Sequence, residues 1–144
     1  MELVEIKGIV DFGLVILIVM VQVMIYPSFR YYKASDLQRW HTVYTKRIFM
    51  VVFPLMTTQL ALSILLIFQK ISIYTVGSLV GIAVLFLLTA LVFVPIHQKI
   101  TRGHADIALL KKLVNQNWWR TVIWGMLFAI TLVEWVLNHG KQAI

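Results

Sequence analysis

The chain has 144 residues, 60 % of them hydrophobic and 13 % charged, with a formal net charge of +7 and no cysteine. Soluble domains carry roughly 45–50 % apolar and about 25 % charged residues, so the composition excludes an ordinary water-soluble fold. Without cysteine, neither a disulfide framework nor a thiolate metal centre can form.

The apolar residues gather into four blocks. Each is close to the ~20 residues that a helix rising ~1.5 Å per residue needs to cross a ~30 Å hydrocarbon core. The first, residues 6–26, reads "IKGIVDFGLVILIVMVQVMIY". It lacks the basic start and small-residue cleavage site of a secretory signal, carries Asp11, and ends in Tyr26-Pro27, so it is read as a retained helix. The second block, 48–68, extends backwards without proline through "SDLQRWHTVYTKRIF", which predicts a helix over 36–68 capped by Ser35 or Asp36. Pro54 should kink it and free a carbonyl near position 50.

The third block predicts a helix over 73–96, after the tight turn "QKIS". Pro95 is expected where this helix bends on leaving the hydrocarbon, and Gly77 and Gly81 form a small surface suited to close packing. Residues 105–116 place Ile107, Leu110, Leu113 and Val114 on one stripe beside Lys111 and Lys112. That is a short amphipathic helix, on the membrane or on the bundle, feeding into a fourth helix over 117–137. Trp118, Trp119 and Trp124 open that helix and Trp135 closes it, as interfacial aromatic belts do. The expected fold is all-α: one transmembrane four-helix bundle spanning residues 1–144, with a short amphipathic cytoplasmic helix.

Charge sets the expected orientation. Segment 27–47 holds Arg30, Lys33, Arg39, Lys46 and Arg47 against Asp36 alone, and segment 98–120 holds Lys99, Arg102, Lys111, Lys112 and Arg120 against Asp106. The 69–72 connection has only Lys70, and each terminus has one lysine. The positive-inside rule makes both basic loops cytoplasmic and both termini external, in a bacterial inner membrane. The net charge is therefore topology, with anionic lipid as the partner and no nucleic acid.

Ionisable side chains inside hydrocarbon are costly, so they face the bundle interior or a wet cavity. Asp11 and Gln22 lie eleven residues apart, within about 20° of one face, and Tyr26 follows Gln22 by one turn. His41 and Gln59 share a face but stand roughly 27 Å apart along the axis. Asn117, Arg120, Thr121 and Trp124 form an inward stripe on helix four. Tyr26, His41, Tyr44, His97, Asn117 and Arg120 thus converge as a ring closing the inner mouth.

Two imidazoles in such a ring are candidate metal ligands, His41 and His97, for a divalent ion or a haem iron. Tyr26 and Tyr44 are the candidate catalytic proton donors. Gln22, Asn117, Arg120 and Trp124 are the candidate substrate-binding residues. The plainer alternatives are histidines that only hydrogen-bond neighbours and cap helix ends, and an arginine that snorkels to phospholipid. No carboxylate except Asp36 lies in reach, which weakens a zinc or di-iron centre. Asp11 and Glu134 near the outer boundary make too sparse a chain for a proton path and read as structural. His104 reads as a loop residue and His139 as solvated.

The segments "IYPSFR", "WHTVYTKRI", "FPLM", "VPIHQKITRG" and "NQNWWRTVIW" cover about residues 20–125. In combining Tyr26-Pro27, His41-x-x-Tyr44, Pro95-x-His97 and Asn117-Trp118-x-Arg120-Thr121, the chain resembles a family of small bacterial four-helix membrane proteins of unassigned function. In plan it is distantly similar to the anthrone oxygenase-like membrane proteins. The resemblance implies a helical bundle and permits a redox or oxygenase-like role on a lipid-soluble substrate. The competing expectation is a non-catalytic lipid-binding protein, or a subunit that meets another membrane protein or its own copy. A cytoplasm-only reporter fused after Lys141 is expected to be inactive; an active fusion reverses the orientation.

Overall fold

A computed structural model describes residues 2–142. Four helices make up the fold: α1 (Leu3–Tyr31), α2 (Ala34–Gln69), α3 (Ile73–Thr101) and α4 (Ile107–Gln142), each long and apolar enough to cross a membrane. No strand occurs among the described residues. Short connections force an antiparallel ring in which α1 and α3 each pack between α2 and α4. Two connections, 32–33 and 102–106, lie at the same end, here termed the basic end.

The outside of the bundle is as apolar as its core. Leu14, Ile18, Phe29, Ile82, Leu85, Phe93, Ile100 and Leu113 are sealed within it, while Ile9, Phe12, Phe49, Met50, Leu87, Leu91 and Val133 are exposed. An exterior of this kind suits hydrocarbon, where no hydrophobic gain comes from hiding it. Gly81 brings α3 close to α4, because a Cβ there would stand 3.0 Å from a Leu127 methyl. Gly77 faces open space instead, so only one of the two predicted small residues serves close packing.

The helix ends follow local chemistry. Ser72 caps α3 by accepting from the Thr75 N–H at 3.2 Å, and Asp106 accepts from the Leu109 N–H at 2.6 Å to start α4. α2 begins at Ala34, before the expected Ser35 or Asp36 cap, with Asp36 in its first turn, where a carboxylate offsets the helix dipole. α3 ends at Thr101, and Gly103 just beyond it, with φ of 85°, turns the chain away while His104 N–H reaches Lys99 O at 2.9 Å. Segment 105–116 is not a separate helix: from Ile107 it forms the first turns of α4. Leu110 and Leu113 of the amphipathic stripe are buried against the bundle, Val114 is half-buried and Ile107 is exposed.

Two π-helical turns interrupt the α-helices, Val21–Ile25 in α1 and Thr89–Phe93 in α3. Each ends two residues before a proline, Pro27 or Pro95, with Tyr26 N–H donating to Val21 O and Val94 N–H to Thr89 O. The cause is steric, since a proline ring clashes with the carbonyl four residues back and a wide turn makes room for it. Both helices then continue, so Pro95 lies within α3 rather than at its end. α2 stays α-helical across Pro54, where Thr57 Oγ1 donates to Phe53 O at 2.9 Å.

At the end opposite the basic loops, a polar clamp ties all four helices. Lys7 and Asp11 are both 0 % exposed and form an ion pair at 2.6 Å. Thr131 Oγ1 of α4 donates to Asp11 at 2.8 Å and accepts from Lys7 at 3.0 Å. Gln59 of α2 donates to the other Asp11 oxygen at 2.7 Å and accepts from Trp124 Nε1 at 3.3 Å. From α3, the Tyr74 hydroxyl reaches Thr131 at 3.4 Å. Lys7 is therefore no free terminal charge, as the sequence reading had it. Lys7→Met leaves a buried carboxylate uncompensated and is expected to cost roughly 3–5 kcal/mol, most of it recovered in Lys7→Met/Asp11→Leu. Reversible unfolding in mixed micelles checks both; equal losses in single and double variants would refute the clamp.

Candidate functional site

The prolines and π turns decide what faces inward at the basic end. An extra residue in a turn rotates everything downstream by about 100°, and beyond these turns Tyr26 is buried and His97 half-buried. α2 brings His41 from its protruding first turns, and the end of α3 adds Thr101, one turn beyond His97.

These four side chains form one hydrogen-bonded chain. Tyr26 Oη lies 3.0 Å from His97 Nε2, His97 Nδ1 lies 2.8 Å from His41 Nε2, and His41 Nδ1 lies 2.9 Å from Thr101 Oγ1. The imidazoles lie end to end, with centroids 5.0 Å and planes 26° apart, and Phe29 meets both His41 and Tyr44 in T-shaped contacts. Two proton arrangements satisfy the chain with neutral rings. Either Tyr26 donates and each proton points towards Thr101, or Thr101 donates and each points towards Tyr26. Passing from one to the other moves a proton along each bond and, to stay neutral, takes up one proton at one end of the chain and releases one at the other, so the chain can pass a proton.

The same geometry bears on metal ligation. All four ring nitrogens are engaged, and nitrogens of two histidines on one tetrahedral zinc stand roughly 3.3 Å apart at Zn–N of about 2.0–2.1 Å. At 2.8 Å the rings hydrogen-bond each other, with no room for an ion between them. Among the described residues no group of three or more His, Asp or Glu side chains gathers to hold a metal. As held, the pair does not fit a divalent ion or a haem iron; either would first have to break the His41–His97 bond.

The predicted substrate-binding residues divide by role. Gln22 donates to Val114 O at 3.2 Å and accepts from Asn117 Nδ2 at 2.9 Å, so the two amides are spent on each other. Asn117 Oδ1 lies at 3.5 Å from Arg120 Nη1. Trp124 is fully buried rather than in the interfacial belt, and its indole belongs to the Gln59 clamp. Arg120, 6 % exposed, lies over the rings of Phe93 at 4.4 Å and Trp124 at 5.1 Å. Tyr44 is buried against Phe29 and Trp40.

Tyr26, Tyr44, His97, Thr101 and Arg120 meet at a cavity of about 350 Å³. Ile48, Phe49 and Val52 of α2 and Thr89, Phe93 and Val94 of α3 wall its apolar part, while Leu17, Ile18 and Val21 of α1 lie behind. This volume is near the lower end of the ~300–1,000 Å³ typical of small-molecule sites. Gln22, His41, Asn117 and Trp124 do not line it. Sequence reasoning missed Thr101, although its spacing of four from His97 marks one helix face, and missed Phe93, for which no polar signal exists.

No protein-family profile, characterised protein or solved structure matches the chain. Tyr26→Phe leaves His97 Nε2 without its phenol partner and is expected to cost about 1–3 kcal/mol. Thr101→Val, at the half-exposed end of the chain, should cost less. Denaturant unfolding of purified variants measures both, and no loss for Tyr26→Phe would contradict the chain.

Proposed function

We propose that this is a multi-pass protein of the bacterial inner membrane, with both basic loops cytoplasmic and both termini outside. In this reading it takes a lipid-soluble molecule sideways from the bilayer between α2 and α3. The molecule's polar end comes to rest against the Tyr26–His97–His41–Thr101 chain, which can accept or return a proton. The observation that carries the proposal is the cavity itself, apolar where α2 and α3 part and polar at Tyr26, His97 and Arg120. Pockets that orient a ligand use this division, an apolar body with a few convergent polar groups. Between the two expectations, lipid binding is favoured over metal or haem redox chemistry because the histidines are bonded to each other. The family to which the motifs point, and its distant likeness to oxygenases, are compatible with a hydrophobic ligand.

The clamp at the far end is not part of a proton path in this reading. Gln59 and the Trp124 indole separate Asp11 from Arg120, and an indole N–H donates without accepting. Filling the cavity mouth tests the proposal. Wild-type protein exchanged through detergent should retain a lipid-soluble compound that organic extraction and mass spectrometry detect. Ile48→Trp, which plugs the mouth from α2, should fold equally well and lose it. Identical extracts from the two proteins would remove the proposal.

A further inference from the structure

Two cations are buried among the helices, and they are treated differently. Lys7 has Asp11 at 2.6 Å. Arg120 has no carboxylate within ion-pairing distance among the described residues, and its Nε has no hydrogen-bond partner. Its side-chain hydrogen-bond partners among the described residues are neutral, Asn117 Oδ1 at 3.5 Å from Nη1 and the Tyr26 hydroxyl. A guanidinium cannot shed its charge to escape burial. The faces of Phe93 and Trp124 offset part of the cost, since cation–π contacts reach about 2 kcal/mol when desolvated. The nearest acid deep in the bundle, Asp11, is saturated by Lys7, Gln59 and Thr131. Arg120 lines the cavity, as do Tyr26 and His97.

We infer that the lipid-soluble ligand carries an oxyanion and that Arg120 is its counter-ion. The inference rests on the binding reading above and names the ligand class: a singly charged oxygen acid, such as a carboxylate or an acidic enolate, on a compact apolar body. The Tyr26 chain completes the recognition. When its protons point towards Tyr26, His97 Nε2–H donates to the phenol oxygen, and the phenol O–H is released to donate into the cavity. An oxyanion there accepts from Arg120 and from Tyr26 together, and so selects one of the two proton arrangements. Charge-assisted bonds of this kind favour the anion over an uncharged isostere by about tenfold to a hundredfold. A cavity of about 350 Å³ takes a small ring system or one short chain, which favours a free acid over a two-chain phospholipid.

Naphthoic acid and naphthylmethanol, its uncharged alcohol, titrated by fluorescence into full-length protein at alkaline pH, separate the ideas. The acid should bind about tenfold or more tighter, and Arg120→Gln should abolish that preference while alcohol binding persists. Displacement of the acid by nanodiscs of phosphatidylglycerol but not phosphatidylcholine assigns the oxyanion to a lipid headgroup; displacement by neither assigns it to a free acid. Either result upholds the oxyanion. Equal affinity for acid and alcohol overturns it and leaves the binding reading standing. Binding of neither probe overturns both. Should Arg120→Gln misfold, ¹⁵N NMR of the wild-type imidazoles decides: bound acid must shift His97 to the Nε2–H form, and an unchanged spectrum refutes the inference.

Discussion

A charge held away from water must find its compensation inside the protein, and the fold turns on how that demand is met for Lys7. Its ammonium, Asp11, Gln59, Thr131 and Trp124 form one closed set of donors and acceptors drawn from α1, α2 and α4. Each pair is costly to break because the alternative is an unpartnered polar group in a medium without water. Apolar packing alone gives little specificity in a bilayer, where lipid chains compete for every surface. The polar set fixes which faces of the four helices meet, and the register so imposed carries down the helices to the basic end.

At that end position is set by backbone chemistry. Two prolines, each two residues beyond a π-helical turn, place the wide turns of α1 and α3 beside the cavity. Wide turns of this kind recur at functional sites because they aim side chains that a regular helix would point elsewhere. Beyond these turns Tyr26 and His97, which stand on different helices, come within 3.0 Å of each other. The glycine-closed end of α3 adds a second constraint: Gln38 of α2 donates to Thr101 O at 3.2 Å, which keeps the last member of the chain beneath His41.

Much of this was legible in the sequence, and the parts that were not have identifiable reasons. Four apolar blocks separated by charge specify four long helices almost by themselves, because length and hydropathy are the only requirements for a membrane span. The inward position of Asp11, Gln22, Tyr26, His41, His97 and Arg120 followed from the cost of polarity in lipid. Pairing did not follow. Lys7 looked like a terminal charge although it stands four residues before Asp11, and Gln22 and Asn117 looked like ligand contacts although they satisfy each other. Helical periodicity gives a side chain's direction but not its partner on another helix. The π turns were invisible to an analysis that assumes a constant 3.6 residues per turn.

The cavity's apolar walls between α2 and α3 carry a consequence for selectivity. A greasy tail that moves from bilayer to protein exchanges one hydrocarbon surrounding for another, so its length contributes almost nothing to affinity. Discrimination among membrane solutes then falls on the few atoms that reach the guanidinium and the phenol. How much of a solute resides in the site depends on its partition into the lipid rather than on its solubility in water.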